Sequence, residues 1–179
     1  METYELQVAG LTRQLQIVQI KPGLQIASFI ILGDTELVTA AAMLLAKRLP
    51  PADILITAEA KGIPFVYELA KELGHKQYVV ARKNVQAYME KPLISEVSSI
   101  TTRKRQFLCL DTADAALLEG KRIALVDDII STGESMHALE QLVHKANGEI
   151  VAKASILAEG NAAKRNDIIY LQHVPVFTD

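Results

Sequence analysis

A single cysteine, Cys109, is the only thiol in this 179-residue chain. One thiol builds no disulfide framework, and a small buried hydrophobe is its ordinary role. Charge of one sign is equally scarce. The 19 Lys and Arg against 21 Asp and Glu leave a net charge of −2, so no broad basic field exists to hold a nucleic-acid backbone. No apolar run approaches the roughly 20 residues of a membrane-spanning helix, and the N-terminus has no charged region leading into a long apolar segment. These absences point to a cytoplasmic protein with neither nucleic acid nor membrane as partner. What remains, 50% hydrophobic and 22% charged residues, is the make-up of one soluble α/β domain with a substantial core.

The rest of the chain is organised around residues 123–135, IALVDDIISTGES. The apolar run 123–126 suits a strand covered on both faces in a parallel sheet. Asp127 and Asp128 end that run and set two carboxylates at a strand end. Ser131, Thr132, Gly133 and Ser135 then supply hydroxyls and a pliant backbone where an amphipathic helix opens, with Met136, Leu139, Leu142 and Val143 at helical spacing. His144, Lys145 and Asn147-Gly148 mark its end. A helix N-terminus offers unpaired N–H groups and a positive dipole end, and hydroxyls beside it favour a phosphate dianion. The stretch therefore reads as a sugar-phosphate site.

Taken in order, residues 1–20 alternate polar and apolar side chains around Ala9-Gly10 and predict a small β element. Lys21-Pro22-Gly23 is a turn, and Asp34 is the N-cap of a helix from Thr35 to about Leu49. Leu37, Ala41, Leu44 and Leu45 form its inner face, and Pro50-Pro51 end it. Residues 54–57 predict a buried strand, 58–63 a loop, and Pro64 the first residue of a helix running through Phe65, Leu69 and Leu73 to Gly74. A strand over 77–81 delivers Arg82 and Lys83. Residues 84–105 hold few long periodic segments and read as a mobile hood, followed by a strand containing Cys109. Beyond the signature helix come a strand over 149–157, a polar connection over 159–166 and a last strand over 168–171. Ligands of open parallel sheets bind beyond the carboxyl ends of the strands. Residues 59–62, 82–83 and 127–128 should therefore line one crevice.

Residues 126–135, VDDIISTGES, resemble the phosphoribosyl-pyrophosphate (PRPP) signature of the type I phosphoribosyltransferases. The resemblance runs from about residue 20 to 177 and implies an α/β fold: a mostly parallel five-stranded sheet flanked by helices, with a protruding flexible hairpin. It implies a single domain over residues 1–179, with the β element at 1–20 and the hood at 84–105. It assigns Asp127 and Asp128 to the ribose 2′ and 3′ hydroxyls, and Ser131, Thr132, Gly133, Glu134 and Ser135 to the 5′-phosphate. Residues 59–62, EAKG, resemble the Glu-Ala-Arg-Gly loop with which adenine phosphoribosyltransferases hold pyrophosphate. Lys61 takes the basic position as a point charge and Gly62 permits close backbone approach. Residues 81–83, ARK, match the Ala-Arg-Lys after the next strand in those enzymes and bring in Arg82 and Lys83. Arg103 and Arg105 either cover the pyrophosphate or form a solvated hairpin tip. On this reading Asp127, Asp128 and Lys61 carry catalysis, and Mg2+ travels on the oxygens of PRPP and pyrophosphate, with no metal ligands from the protein. The partners are PRPP, a purine base and a second copy of the chain, with Phe65, Tyr67 and Leu69 as the candidate dimer patch.

Two positions depart from the adenine enzymes. Residues 102–104 stand where those enzymes carry Glu-Tyr-Gly in the hood, and Ile26-Ala27 stand in place of Phe-Arg, so Ile26 is left to cover the base. The implied reaction is purine phosphoribosyl transfer, with adenine first. Another base (guanine, xanthine or orotate) and a non-catalytic PRPP-sensing regulator remain open.

Overall fold

The computed structural model describes residues 2–97 and 106–178. Its centre is a parallel sheet in the order β10-β9-β8-β4-β5, built from β4 (Ile54–Ala58), β5 (Val79–Ala81), β8 (Arg122–Ile130), β9 (Glu149–Glu159) and β10 (Ile169–Val174). Every neighbouring pair in it is parallel. Helices α2 (Gly62–Glu72) and α4 (Glu134–Lys145) make two of the crossovers, from β4 to β5 and from β8 to β9, as parallel strands require.

The apolar run at 123–126 is explained by its two sides. Ala124 and Val126 pack with Leu55 against α2 and against α1 (Thr35–Ala46), through Leu37, Leu45, Phe65 and Leu69. Ile123 and Leu125 pack with Ile54 and Ile56 against Met136, Leu139, Leu142 and Val143 of α4. A central strand with a hydrophobic layer on each face has no polar position until its carboxyl end.

A second, antiparallel sheet holds β1 (Thr3–Val8), β2 (Leu11–Lys21), β3 (Leu24–Ser28) and β11 (Val176–Thr178) in the order β1-β2-β3-β11. Its first turn is Ala9-Gly10, both at positive φ. A hairpin of β6 (Leu93–Val97) and β7 (Gln106–Leu110) forms a third sheet. Its base is fastened to α4, with Ser95 Oγ donating to Gln141 Oε1 at 2.5 Å and Lys145 Nζ donating to the Ile94 carbonyl at 2.5 Å. Arg103 and Arg105, at the expected hood tip, lie outside the described residues. Among the described residues no helix is long and apolar enough to cross a membrane.

Several expected boundaries move. Helix α1 stops at Ala46, and its buried stripe is Leu37, Val38, Ala41, Ala42 and Leu45. Leu44 falls beside that stripe and is exposed. Helix α2 begins at Gly62, two residues before Pro64. Pro64 is thus the third helical residue, where the first-turn N–H has no partner within the helix and its loss is harmless. Phe65 and Leu69 are fully buried, leaving Tyr67 alone exposed in the proposed dimer patch. Helix α3 (Thr112–Leu118), the 3-10 helix Gly160–Lys164 and β11 were not anticipated. Each is short, and β11 has meaning only through its partner β3.

Asp34 ties the two main sheets together. Its Oδ1 accepts from the Leu37 N–H at 3.0 Å as the cap of α1, and both oxygens accept from Arg13 of β2, at 2.7 and 2.9 Å. The Arg13 guanidinium holds the Asp34 carboxyl below its ordinary value, so this stability is present above the unfolded carboxylate pKa and is lost as pH falls through the native one. Asp34→Ala should cost about 1–2 kcal/mol at neutral pH, with the difference from wild type vanishing in acid. Urea denaturation across that range would expose a pH-independent cost as a failure of this account.

Candidate active site

Because β4, β5, β8 and β9 run parallel, their carboxyl ends open onto one edge. The turn after β8 is the most elaborate. Gly133 adopts a left-handed φ of +85° and is the N-cap of α4; it has no side chain to cap the first turn, and the Glu134 N–H donates to Thr132 Oγ1 at a long 3.5 Å. The N–H groups of a first helical turn have no partner within the helix. Ser131, Thr132, Gly133, Glu134 and Ser135, with Asp127, Ile129, Ile130 and Met136, surround a hollow of about 110 Å³.

The loop after β4 brings Lys61 and Gly62 to the carboxylates. Lys61 Nζ lies 3.5 Å from Asp128 Oδ2. That is an ion-pair distance without a hydrogen bond, and Asp128 Oδ2 has no hydrogen-bond partner although Asp128 is 3% exposed. A buried carboxylate oxygen left open is the kind of exception that calls for an occupant. Gly62 is required by space: a Cβ there would collide with Thr57 Oγ1 and come within 3.2 Å of Asp127 Oδ1. The Glu59–Ala60 peptide of this loop is cis.

The two acids differ in environment. The Asp128 N–H donates to Asp127 Oδ1 at 2.8 Å. Asp127 as a residue keeps partial solvent access, yet desolvation of its carboxyl, reinforced by the charge of Asp128, pushes its pKa well above the ordinary carboxylate value.

The structure thus brings together Asp127, Asp128, Lys61, Gly62 and residues 131–135. Glu59, two residues before Lys61, holds Arg82 through its side chain and Lys83 through its backbone. Arg82 Nε donates to Glu59 Oε2 at 2.9 Å, Arg82 Nη1 donates to the Tyr88 hydroxyl at 3.3 Å, and the Lys83 N–H donates to Glu59 Oε1 at 2.6 Å. The Lys83 residue is exposed. Ile26 lies half-buried in the antiparallel sheet, opposite Val18 and Val176.

Sequence reasoning missed Glu159. It ends β9, is 7% exposed, and accepts from Ser131 Oγ at 2.6 Å. Its only signal was an acid closing an apolar strand next to the signature strand.

For an acid whose native pKa is raised, stability is fully present below the unfolded pKa and is lost as pH rises through the native one. Asp127→Asn removes that loss. In the free protein the variant should therefore gain on wild type in unfolding free energy as pH is raised from acid to neutral. Urea titrations at several pH values read this directly, and a constant difference would show that Asp127 ionises at no cost.

Comparison with known proteins agrees with this geometry. The family model described as a phosphoribosyl transferase domain matches residues 34–176. A xanthine phosphoribosyltransferase of Chloroflexus aurantiacus is 33% identical over 126 residues, covering 69% of this chain and 58% of that protein. The chain thus spans little more than half the length of that relative. An adenine phosphoribosyltransferase of Thermosipho africanus is 30% identical over 141 residues, covering 78% of this chain and 79% of its own. The crystal structure of an adenine phosphoribosyltransferase from Thermoanaerobacter pseudethanolicus superimposes with a TM-score of 0.72 at 25% identity, covering 89% of this chain and 95% of that one. With the signature turn, the paired acids and the parallel sheet in agreement, this chain belongs to the type I phosphoribosyltransferase family.

Proposed function

We propose that this protein, acting as a cytoplasmic homodimer, transfers the phosphoribosyl group of PRPP to a purine base and releases pyrophosphate, with adenine as first acceptor and AMP as product. The observation that carries the reading is the open, buried Asp128 oxygen beside Lys61, next to the glycine-capped N-terminus of α4. A ribose hydroxyl would donate to that oxygen. The 5′-phosphate would take the N–H groups and hydroxyls of residues 131–135, and Lys61 would face the departing pyrophosphate. Among the described residues no group of three or more His, Cys, Asp or Glu side chains could hold a metal ion. Mg2+ enters on the oxygens of PRPP as part of the substrate, and Asp127 and Asp128 receive the ribose. Rate enhancement then comes from orientation and from electrostatic support of the leaving group.

The base is assigned to the apolar wall at Ile26. In support, Val176 lies opposite Ile26, and a Cβ on Gly160 would lie 2.9 Å from Val176 Cγ2. Gly160 follows Glu159, which accepts from Ser131. Xanthine is the second reading, favoured by the C. aurantiacus relative and by Ile26-Ala27 replacing the Phe-Arg of adenine enzymes. Cys109, buried and unpaired, suits a reducing compartment.

Incubation with labelled PRPP, Mg2+ and a panel of bases should release pyrophosphate with adenine or xanthine and not with orotate. Asp128→Asn and Thr132→Val should each weaken PRPP binding by on the order of 1–3 kcal/mol without lowering the melting temperature. Calorimetry giving wild-type PRPP affinity in both variants would overturn the assignment.

For the homodimer, an apolar groove between α1 and α2, walled by Val38, Ile63, Pro64, Tyr67 and Tyr78, offers a surface for a two-fold contact. Light scattering at micromolar concentration should report twice the 19.6 kDa chain mass. Monomer alone would remove the dimer from the proposal.

A further inference from the structure

Arg165 has no part in the reading so far, although it reaches the signature turn. It follows the 3-10 helix Gly160–Lys164, and its guanidinium returns to the start of α4: a Cβ built on Gly133 would lie 2.8 Å from Arg165 Nη1. The orientation is fixed from the opposite side. Arg165 Nε donates to Asp167 Oδ1 at 2.8 Å and Nη2 donates to Asp167 Oδ2 at 2.7 Å, a bidentate fork. Asp167 is held in turn by Lys153 at 3.3 Å, and Lys153 by Glu140 of α4. The guanidinium keeps the Asp167 carboxyl well below the ordinary range, so neutral and mildly acidic conditions leave the pair intact.

Two N–H groups on Nη1 are spare. They have no acceptor among the described residues. Arg165 does not line the hollow itself, whose walls are residues 127 and 129–136. It stands at the Gly133 rim, where it would meet a phosphoryl oxygen facing outward. A planar cation with a pre-set orientation loses little freedom on making such a bond.

We propose that Arg165 binds the 5′-phosphate of PRPP through Nη1, with Asp167 as its positioning residue. The proposal rests on the PRPP reading of the same turn. It also gives Gly133 a second reason to lack a side chain, beyond its left-handed φ: a Cβ would press on the guanidinium.

Ribose 5-phosphate and pyrophosphate separate the two ends of the substrate. By calorimetry, Arg165→Ala should weaken ribose 5-phosphate roughly three- to thirty-fold, a range reduced for partial exposure, and leave pyrophosphate affinity unchanged. Arg165→Lys should recover part of the loss. Asp167→Asn, which keeps the cation and removes its carboxylate partner, should give a smaller loss of the same kind. In turnover, KM for PRPP should rise with kcat held. Wild-type affinity for ribose 5-phosphate in the Arg165→Ala variant would overturn the inference and leave the phosphoribosyl reading standing. Equal weakening of both ligands would also overturn it, because the effect would then be general. Wild-type protein that binds neither ligand would overturn the phosphoribosyl reading and this inference together.

Discussion

Two adjacent carboxylates at the end of a strand buried on both faces constrain everything around them. Desolvation of the Asp127 carboxyl, with the charge of Asp128 beside it, raises the Asp127 pKa and records the cost of this placement. Three local features accommodate the pair. The Asp128 N–H bonds Asp127, Lys61 stands at ion-pair distance from Asp128, and Gly62 leaves room for the Asp127 oxygen. None closes the last valence of Asp128 Oδ2. A polar ligand that donates there gains a bond and relieves a buried group at the same time, which is how a stability defect becomes binding energy.

The parallel sheet converts this strand end into a site. One edge collects the ends of β4, β5, β8 and β9, so Lys61, Glu59 holding Arg82 and the Lys83 N–H, the 131–135 turn, and Glu159 lie along it. The antiparallel sheet shares a core with this body through Leu6, Val8, Leu15 and Ala27, and two further contacts join them. Asp34 links β2 to α1, and the packing of Gly160 on Val176 links the end of β9 to β11. The second link sets Ile26 one strand away from the residue that follows Glu159. The hairpin hangs instead from α4, whose N-terminus is the turn proposed for the phosphate and whose C-terminal half holds Ser95 and Ile94. A ligand at one end of α4 and the hairpin at the other therefore share one rigid element.

This division explains why reaction class and base separate as questions. The residues proposed for ribose and phosphate, Asp127, Asp128 and 131–135, are local in sequence. The wall proposed for the base is built from β3 and β11, elements distant in the chain from the signature turn. Apolar walls discriminate weakly between related ligands, whereas unmatched hydrogen-bonding groups discriminate strongly. On the proposed reading, Ile26 in place of an aromatic would broaden the choice of purine and leave the transfer residues untouched; the relatives are named for different bases.

Much of this was legible in the chain itself. The 123–135 stretch gave its strand, turn and helix from an apolar run, paired acids and 3.6-residue spacing, because all of its determinants are local. The Asp34 cap and the Ala9-Gly10 turn were readable for the same reason. Other features required the third dimension. Pro64 looked like a helix start, but the Ala60 carbonyl already accepts from the Ile63 N–H and draws α2 back to Gly62. Phe65 and Leu69 looked like surface until α1 and β8 covered them. Arg82 carries the pattern of a substrate ligand, and only the parallel pairing of β4 with β5 reveals that Glu59 holds it. Glu159 and Arg165 lie 28 and 32 residues beyond Ser131 and Gly133, the residues they meet. No spacing rule spans such a gap: local propensity fixes which elements form, while the contacts between their ends follow from strand order and register, which only the packed sheet sets.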